Sequence, residues 1–252
     1  MRVCVSNRSA GQGGMREAVR SYFDRRARSE KGPDAPGGDE TGLIVRLVNE
    51  RVRGRVLEIG CGMAPSIQGK DKRVWVALDT SLGSLKRAPG APARVCGDAA
   101  SMPFRAEAFD AAVSVHMFHH VVGRSPKESQ IQLERTLREA ARVLVPEGVL
   151  IVVDTTIPDR LYPVERLFFP LVMCLAGLCK APPVLFRSMG ALQGAMAETG
   201  FGVHEARTFS VPGKALTPWE SSFRWPMGLS PIRDALVVAN KAALSRETPS
   251  DP

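Results

Sequence analysis

The chain has 252 residues, 44% apolar and 24% charged, enough for one α/β domain with a full core or at a stretch two small ones. Net charge is +8, with twelve Lys/Arg against seven Asp/Glu in the first 55 residues; a basic N-terminal third can attract nucleic acid, anionic lipid or an anionic substrate, or be no more than an arginine-rich surface. Aromatics at 6% argue against a stacking platform for single-stranded nucleic acid, and Cys4, Cys61, Cys96, Cys174 and Cys179, odd in number and without a Cys-x-x-Cys pair, argue against a disulfide scaffold or zinc ribbon and fit a reducing cytoplasm.

Residues 1–14 show no periodicity and end in a Gly-rich tract, so they are expected to be disordered, with Met15 as the native start. No apolar core of a signal peptide follows the first residue. Met15 to Arg28 reads as a basic helix carrying Tyr22 and Phe23. Residues 31–42 read as a loop, and Leu43 to Val52 as a helix face with apolar residues at 43, 44, 47 and 48. From Arg55 on, strand-like and helix-like segments alternate. Strands are predicted at 55–59, 74–78, 93–96, 110–115 and 148–154, with the clearest helix over 127–144. Pro146-Glu147-Gly148 punctuates the entry into the last of these strands. Continuous apolar strands separated by helices predict a doubly wound, mostly parallel sheet, whose ligands sit beyond the carboxyl ends of the strands.

The organising stretch is Val56-Leu57-Glu58-Ile59-Gly60-Cys61-Gly62-Met63-Ala64, a buried strand feeding a Gly-x-Gly turn. Asp79 follows Gly60 by 19 residues, and Asp98 follows Asp79 by another 19. Glu58, Asp79, Asp98, His116 and Asp154 all fall at or just past predicted strand ends, so one site is expected to gather them. Taken singly, each acid could instead cap a helix.

Beyond residue 155 the pattern changes. Residues 161–186 are rich in Pro, Leu and Phe; the longest apolar run, Leu167 to Cys179, has 13 residues broken by Pro170 and Gly177 and is too short to span a bilayer. A helix over about 187–199 closes at Gly200. Strands are expected at 203–209 and 235–240, while 211–233, with Trp219 and Trp225, reads as irregular and 245–252 as a disordered tail.

In the stretches VLEIGCGMA, VALDTS, GDAASMPF, FDAAVSVHMFHHV and LREAARVLVPEGVLIVVD, the chain resembles class I S-adenosylmethionine-dependent methyltransferases of the small-molecule group that includes ubiquinone- and menaquinone-type enzymes (the methyltransferase type 11 group). The resemblance covers about residues 55–156. It implies a seven-stranded Rossmann-like fold: one domain over 15–244, with a cofactor-binding core at 55–156 and a helical substrate cap at 157–200 inserted after the fifth strand. It also implies S-adenosylmethionine as cofactor, held by Glu58, Gly60, Cys61, Gly62, Asp79, Thr80, Asp98, Ala99 and His116. Asp79 would take the ribose hydroxyls, and Asp98 with the Ala99 backbone the adenine. Tyr22 would cover the adenosine or pack in the core. The family often has a third glycine where this chain has Ala64 followed by Pro65.

Some natural-product O-methyltransferases resembling this chain carry a His-His pair and an Asp as acid/base residues, and His119, His120 and Asp154 stand at those positions. His120 is the leading candidate for the base, with helix capping and core packing as the alternative roles of the pair. No metal is expected, since His116 and His120 find no third ligand. The apolar 157–190 region suggests a lipophilic or aromatic acceptor, or a lid with peripheral membrane contact through 161–179, or a cap buried in its own core. The alternatives are an RNA or protein methyltransferase, favoured by charge but without an Asn/Asp-Pro-Pro-Tyr motif, and a non-catalytic binding protein on the same scaffold.

Overall fold

The computed structural model describes residues 2–4, 13–29, 38–67, 74–88, 90, 93–209 and 232–242. Val56 to Ile59 are buried on both sides, as a continuous apolar run requires, and form with Arg55 the central strand β2 (Arg55–Ile59). Around it lie β1 (Arg2–Cys4), β3 (Val74–Asp79), β4 (Ala93–Cys96), β5 (Phe109–Val115), β6 (Leu144–Ile157), the two-residue β7 (Arg187–Ser188), β8 (Phe201–Phe209) and β9 (Arg233–Lys241). The sheet order is β1-β4-β3-β2-β5-β6-β9-β8, with β7 beside β6. All neighbours from β1 to β6 run parallel, and β9 is antiparallel to both β6 and β8. Strand order reverses between β2 and β5, so the crevice for a ligand opens at their carboxyl ends.

Alternation along the strands divides the core between two faces. Leu57, Ile59, Leu78 and Val152 pack on one side with Leu133, Leu137 and Ala140 of α4 (Pro126–Val143) and Leu192 and Met196 of α6 (Met189–Glu198). Val56, Ala77, Val113 and Ile151 pack on the other with Ile44, Leu47 and Val48 of α2 (Gly38–Asn49) and Leu85 of α3 (Leu82–Arg87). The start of α4 is fixed locally: the Ser125 hydroxyl accepts from Glu128 N, the Glu128 carboxylate accepts from Arg124 N, and Pro126 occupies the first turn where no donor is lost.

Several expectations change. Arg2–Cys4, expected to be disordered, form an edge strand parallel to β4. The strand expected to begin at 148 begins at Leu144; its Pro146-Glu147-Gly148 stretch is absorbed as an irregularity, with Glu147 at φ 62°, before the ladder resumes at Val149. The seven expected strands form, and among the described residues two short ones, β1 and β7, join the same sheet. The region 161–186 yields a long helix, α5 (Tyr162–Leu178), continuous with a short 3-10 turn at Asp159–Leu161. Together Asp159–Leu178 have mean hydropathy 1.5 and are long and apolar enough to cross a membrane. The apolar run Leu167 to Cys179 is shorter than this segment because Arg160, Glu165 and Arg166 lie ahead of it. Trp219, Trp225 and the tail lie outside the described residues.

Candidate functional site

The Gly60–Gly62 turn sits at the carboxyl end of β2, with both glycines in the left-handed region (φ 71° and 57°). A Cβ on Gly60 would come within 2.3 Å of Met117 Cγ, whereas one on Gly62 would point into open space. Beside the turn lies a cavity of about 460 Å³, within the range of small-molecule sites. Glu58, Gly60, Cys61, Gly62, Asp79, Thr80, Asp98, Ala99, His116, His119 and His120 all line it, as do Ala64 and Pro65. Asp154 stands just behind, against His119.

The acids are held by backbone. Asp79 accepts from Gly62 N at 2.8 Å and from Ser81 N at 2.7 Å, tying the glycine turn to the end of β3. Withdrawal from water pushes its carboxyl up to about 6, with the backbone donors offsetting part of the rise. Glu58 is buried; its Oε1 accepts from Ser66 N at 2.6 Å, while Oε2 has no hydrogen-bond partner among the described residues. Burial pushes this carboxyl up to about 7. Asp98 accepts from Ala100 N at 2.9 Å and pairs with Arg16. The Cys61 thiol is buried and pushed up by that burial, so it is no nucleophile.

Tyr22 does not line the cavity. On α1 (Gly13–Arg28) the facing residues are Arg16, Val19, Phe23 and Arg26, a run spaced by three and four that Tyr22 misses by one position. Tyr22 packs edge-on against Phe23, and Phe23 packs edge-on against His120 at 5.2 Å between ring centres. Sequence reasoning also missed Arg16, which bridges Asp98 and Gln132 of α4. The available signal was the i, i+3, i+7 stripe on α1 with a cation at its head.

The histidines occupy the turn after β5. His116 has φ 50°, a left-handed backbone unusual for a side-chain-bearing residue, and its N–H donates to Val153 O at 2.8 Å. His119 and His120 lie on a 3-10 turn, Phe118–His120. His119 Nδ1 lies 2.5 Å from Asp154 Oδ1, and its backbone N–H donates to Asp154 Oδ2 at 3.0 Å. Burial alone would raise the Asp154 carboxyl, but the charge and hydrogen bond of His119 and the charge of His116 bring it below the ordinary carboxylate range. His120 Nδ1 donates to Pro183 O at 3.2 Å. Burial, and then the charge of His119, lower His120 to about 3. The two histidines thus have different surroundings. His119 has the Asp154 carboxylate against its ring and backbone, while His120 is held neutral against a carbonyl.

A glycine turn, an acid at the end of each of β2 and β3, and a doubly wound sheet with an antiparallel end fit the class I S-adenosylmethionine-dependent methyltransferase fold. Residues 57–152 match the methyltransferase domain family. The human probable tRNA methyltransferase 9B is 36% identical over 99 residues, 38% of this chain and 20% of that protein. The matched part thus spans about a fifth of that relative. Among solved structures, the cyclopropane synthase MmaA2 of Mycobacterium tuberculosis superposes with a TM-score of 0.62 at 16% identity, over 92% of this chain and 100% of that one. A chain from the Haloferax volcanii complex of the Trm112 methyltransferase activator with a methyltransferase gives 0.60 at 18% identity, over 87% and 97%. These two likenesses are of fold.

The residues fit S-adenosylmethionine. The unpartnered Glu58 Oε2 offers an acceptor to an ammonium group, Gly62 leaves open the volume a side chain would fill, and Asp79 keeps lone pairs for hydroxyl donors.

Proposed function

We propose that this protein methylates an oxygen of a lipophilic or aromatic small molecule, with His119 as the general base and Asp154 as its orienting partner. The observation that carries the reading is the 2.5 Å contact between His119 Nδ1 and Asp154 Oδ1 at the wall of the cavity. An ionised carboxylate can only accept, so the proton of neutral His119 is on Nδ1 and Nε2 is left to take a proton from the acceptor's O–H. S-adenosylmethionine supplies an electrophilic methyl group on a sulfonium. The chain aligns the two reactants, a contribution of about 7–11 kcal/mol in favourable cases, and excludes water with α1 laid across the cavity. Gly60, Gly62, Glu58 and Asp79 hold the amino-acid and ribose parts of the cofactor; Asp98 and Ala99 take the adenine. Phe23, rather than Tyr22, covers it. His120, locked on Pro183 O, shapes the acceptor side.

A second reading, methylation of RNA, is favoured by the relatives described as probable tRNA methyltransferases and by the +8 charge. Incubation with methyl-labelled S-adenosylmethionine and either an organic extract or bulk tRNA of the source cells separates the two. Label in the organic phase is the expected outcome. Label in RNA would overturn the small-molecule reading, and absence of cofactor binding by calorimetry would remove both.

A further inference from the structure

Along α5, Val164, Leu167, Phe168, Leu171, Leu175 and Leu178 recur at intervals of three and four residues and so share one face. All are exposed, Leu167 and Leu178 at 74% and 75%. The stripe is about 21 Å long at the usual rise per residue. The opposite face is covered: Phe169 is fully buried with Val122 and Leu185, and Met15 and Val19 of α1 pack against them. Apart from Glu165 and Arg166 the helix is apolar on both faces, and among the described residues only one of them has a partner, an arrangement that marks an interaction surface.

The helix cannot cross a bilayer while the domain is folded. It leaves β6 and returns to β7, and these strands pair through Thr156 with Arg187 and Ile157 with Ser188. Its first turn is tied down where Asp159 accepts from Gly190 N at 3.1 Å and Glu165 accepts from Phe186 N at 3.2 Å. The start is thus pinned, and the chain on either side of the helix joins neighbouring strands of the same sheet. The stripe can only lie flat.

The charges point the same way. The element's two acids are those just named, each engaged with a backbone N–H of the domain, and burial raises Glu165 toward its neutral form. Its cations are exposed and flank the stripe: Arg160 at the start, Arg166 one turn on and Lys180 just past the end. Apolar side chains bordered by cations with long aliphatic stems match an acyl boundary under phosphate head groups.

We propose that α5 is an in-plane anchor that beds its Leu167–Leu178 stripe in the interface of an anionic phospholipid bilayer. The anchor is independent of the chemistry assigned to the cavity, although Val19 and Val122, against which its inner face packs, also line that cavity. Co-sedimentation of the full chain with phosphatidylcholine vesicles, with and without phosphatidylglycerol, tests it. The wild type is expected to bind the anionic vesicles, more weakly as salt is raised. The double variant Leu167→Glu/Leu171→Glu is expected to lose about tenfold or more of the partition, and Arg160→Glu/Lys180→Glu to lose the preference for anionic lipid. Cofactor affinity and melting temperature of both variants should stay at the wild-type values, which shows that the domain is intact. Absence of wild-type binding to anionic vesicles, or equal binding by the leucine variant, overturns the proposal. So does a wild-type dimer by ultracentrifugation that the leucine variant converts to monomer, since the stripe would then be covered by a second copy.

Discussion

His119 and Asp154 meet twice, through the ring at 2.5 Å and through the His119 backbone N–H at 3.0 Å, so the carboxylate sets both the tautomer of the imidazole and the place of the turn that carries it. This double hold predicts a division of effects. His119→Ala should lower turnover by about 10²–10⁴, the usual loss for a general base, and leave the cofactor dissociation constant within about twofold. Asp154→Asn should approach the same loss, because an amide no longer fixes the proton on Nδ1 alone. His120→Asn should cost less than about tenfold. Single-turnover rates and calorimetry on the three variants check the order; a larger loss at His120 than at His119 would falsify it.

The raised acids give a pH dependence of definite sign. Glu58 at about 7 and Asp79 at about 6 hold their protons longer in the folded chain than the ordinary carboxylate of an unfolded one. Between about pH 4 and 7 the folded state therefore binds more protons, and the contribution of these two groups to stability falls as pH rises. Glu58→Gln should flatten that decline, read as melting temperature against pH without ligand. A cationic group against Glu58 favours its ionised form, so cofactor affinity should rise by about tenfold from pH 6 to pH 8 and then level. Calorimetry in two buffers of different ionisation heat should show proton release at pH 6.5 in the wild type and little in Glu58→Gln.

How much of this was legible follows from what is local. The run Val56–Ile59 and the glycines after it announce themselves, because a strand buried on both faces and a left-handed turn each have a short-range signature. The convergence of Glu58, Asp79, Asp98 and His116 was legible as well, since strand ends in a parallel sheet share one rim. Arg2–Cys4 were not: three residues carry no period, and their order comes wholly from pairing with β4. Arg16 meets Asp98 and Gln132 across 82 and 116 residues of chain; the stripe on α1 marks its face but not these partners. The order of His119 and His120 depends on where Pro183 and Asp154 come to rest, which the two histidines themselves do not encode.

Phe23 and Tyr22 are adjacent on α1 but point about 100° apart, as successive residues on a helix must. Phe23 lines the cavity and Tyr22 does not. Phe23→Ala should weaken cofactor binding by about tenfold or more, the value of one lost aromatic contact, while Tyr22→Ala changes it by less than about threefold. Equal effects on the dissociation constant would mean that the helix lies over the site in another rotation.

Arg187 is buried, makes no ion pair with a carboxylate among the described residues, and spends its guanidinium on carbonyls. Nη1 donates to Phe118 O at 2.7 Å, and Nη2 to Val121 O at 2.7 Å and Ser129 O at 3.2 Å. It clasps the turn bearing His119 and His120 to the first turn of α4. Arg187→Ala strands these acceptors and opens a cavity, for a loss of about 3 kcal/mol or more, or on the order of 10 °C in melting temperature for a domain of this size. Arg187→Lys keeps the charge but cannot reach three carbonyls from one nitrogen in that geometry. At a temperature well below its own transition, the lysine variant should bind cofactor as the wild type does and turn over more slowly. That split separates a residue that positions His119 from one that only holds the fold together, for which turnover and cofactor affinity would both stay at wild-type values once the variant is folded.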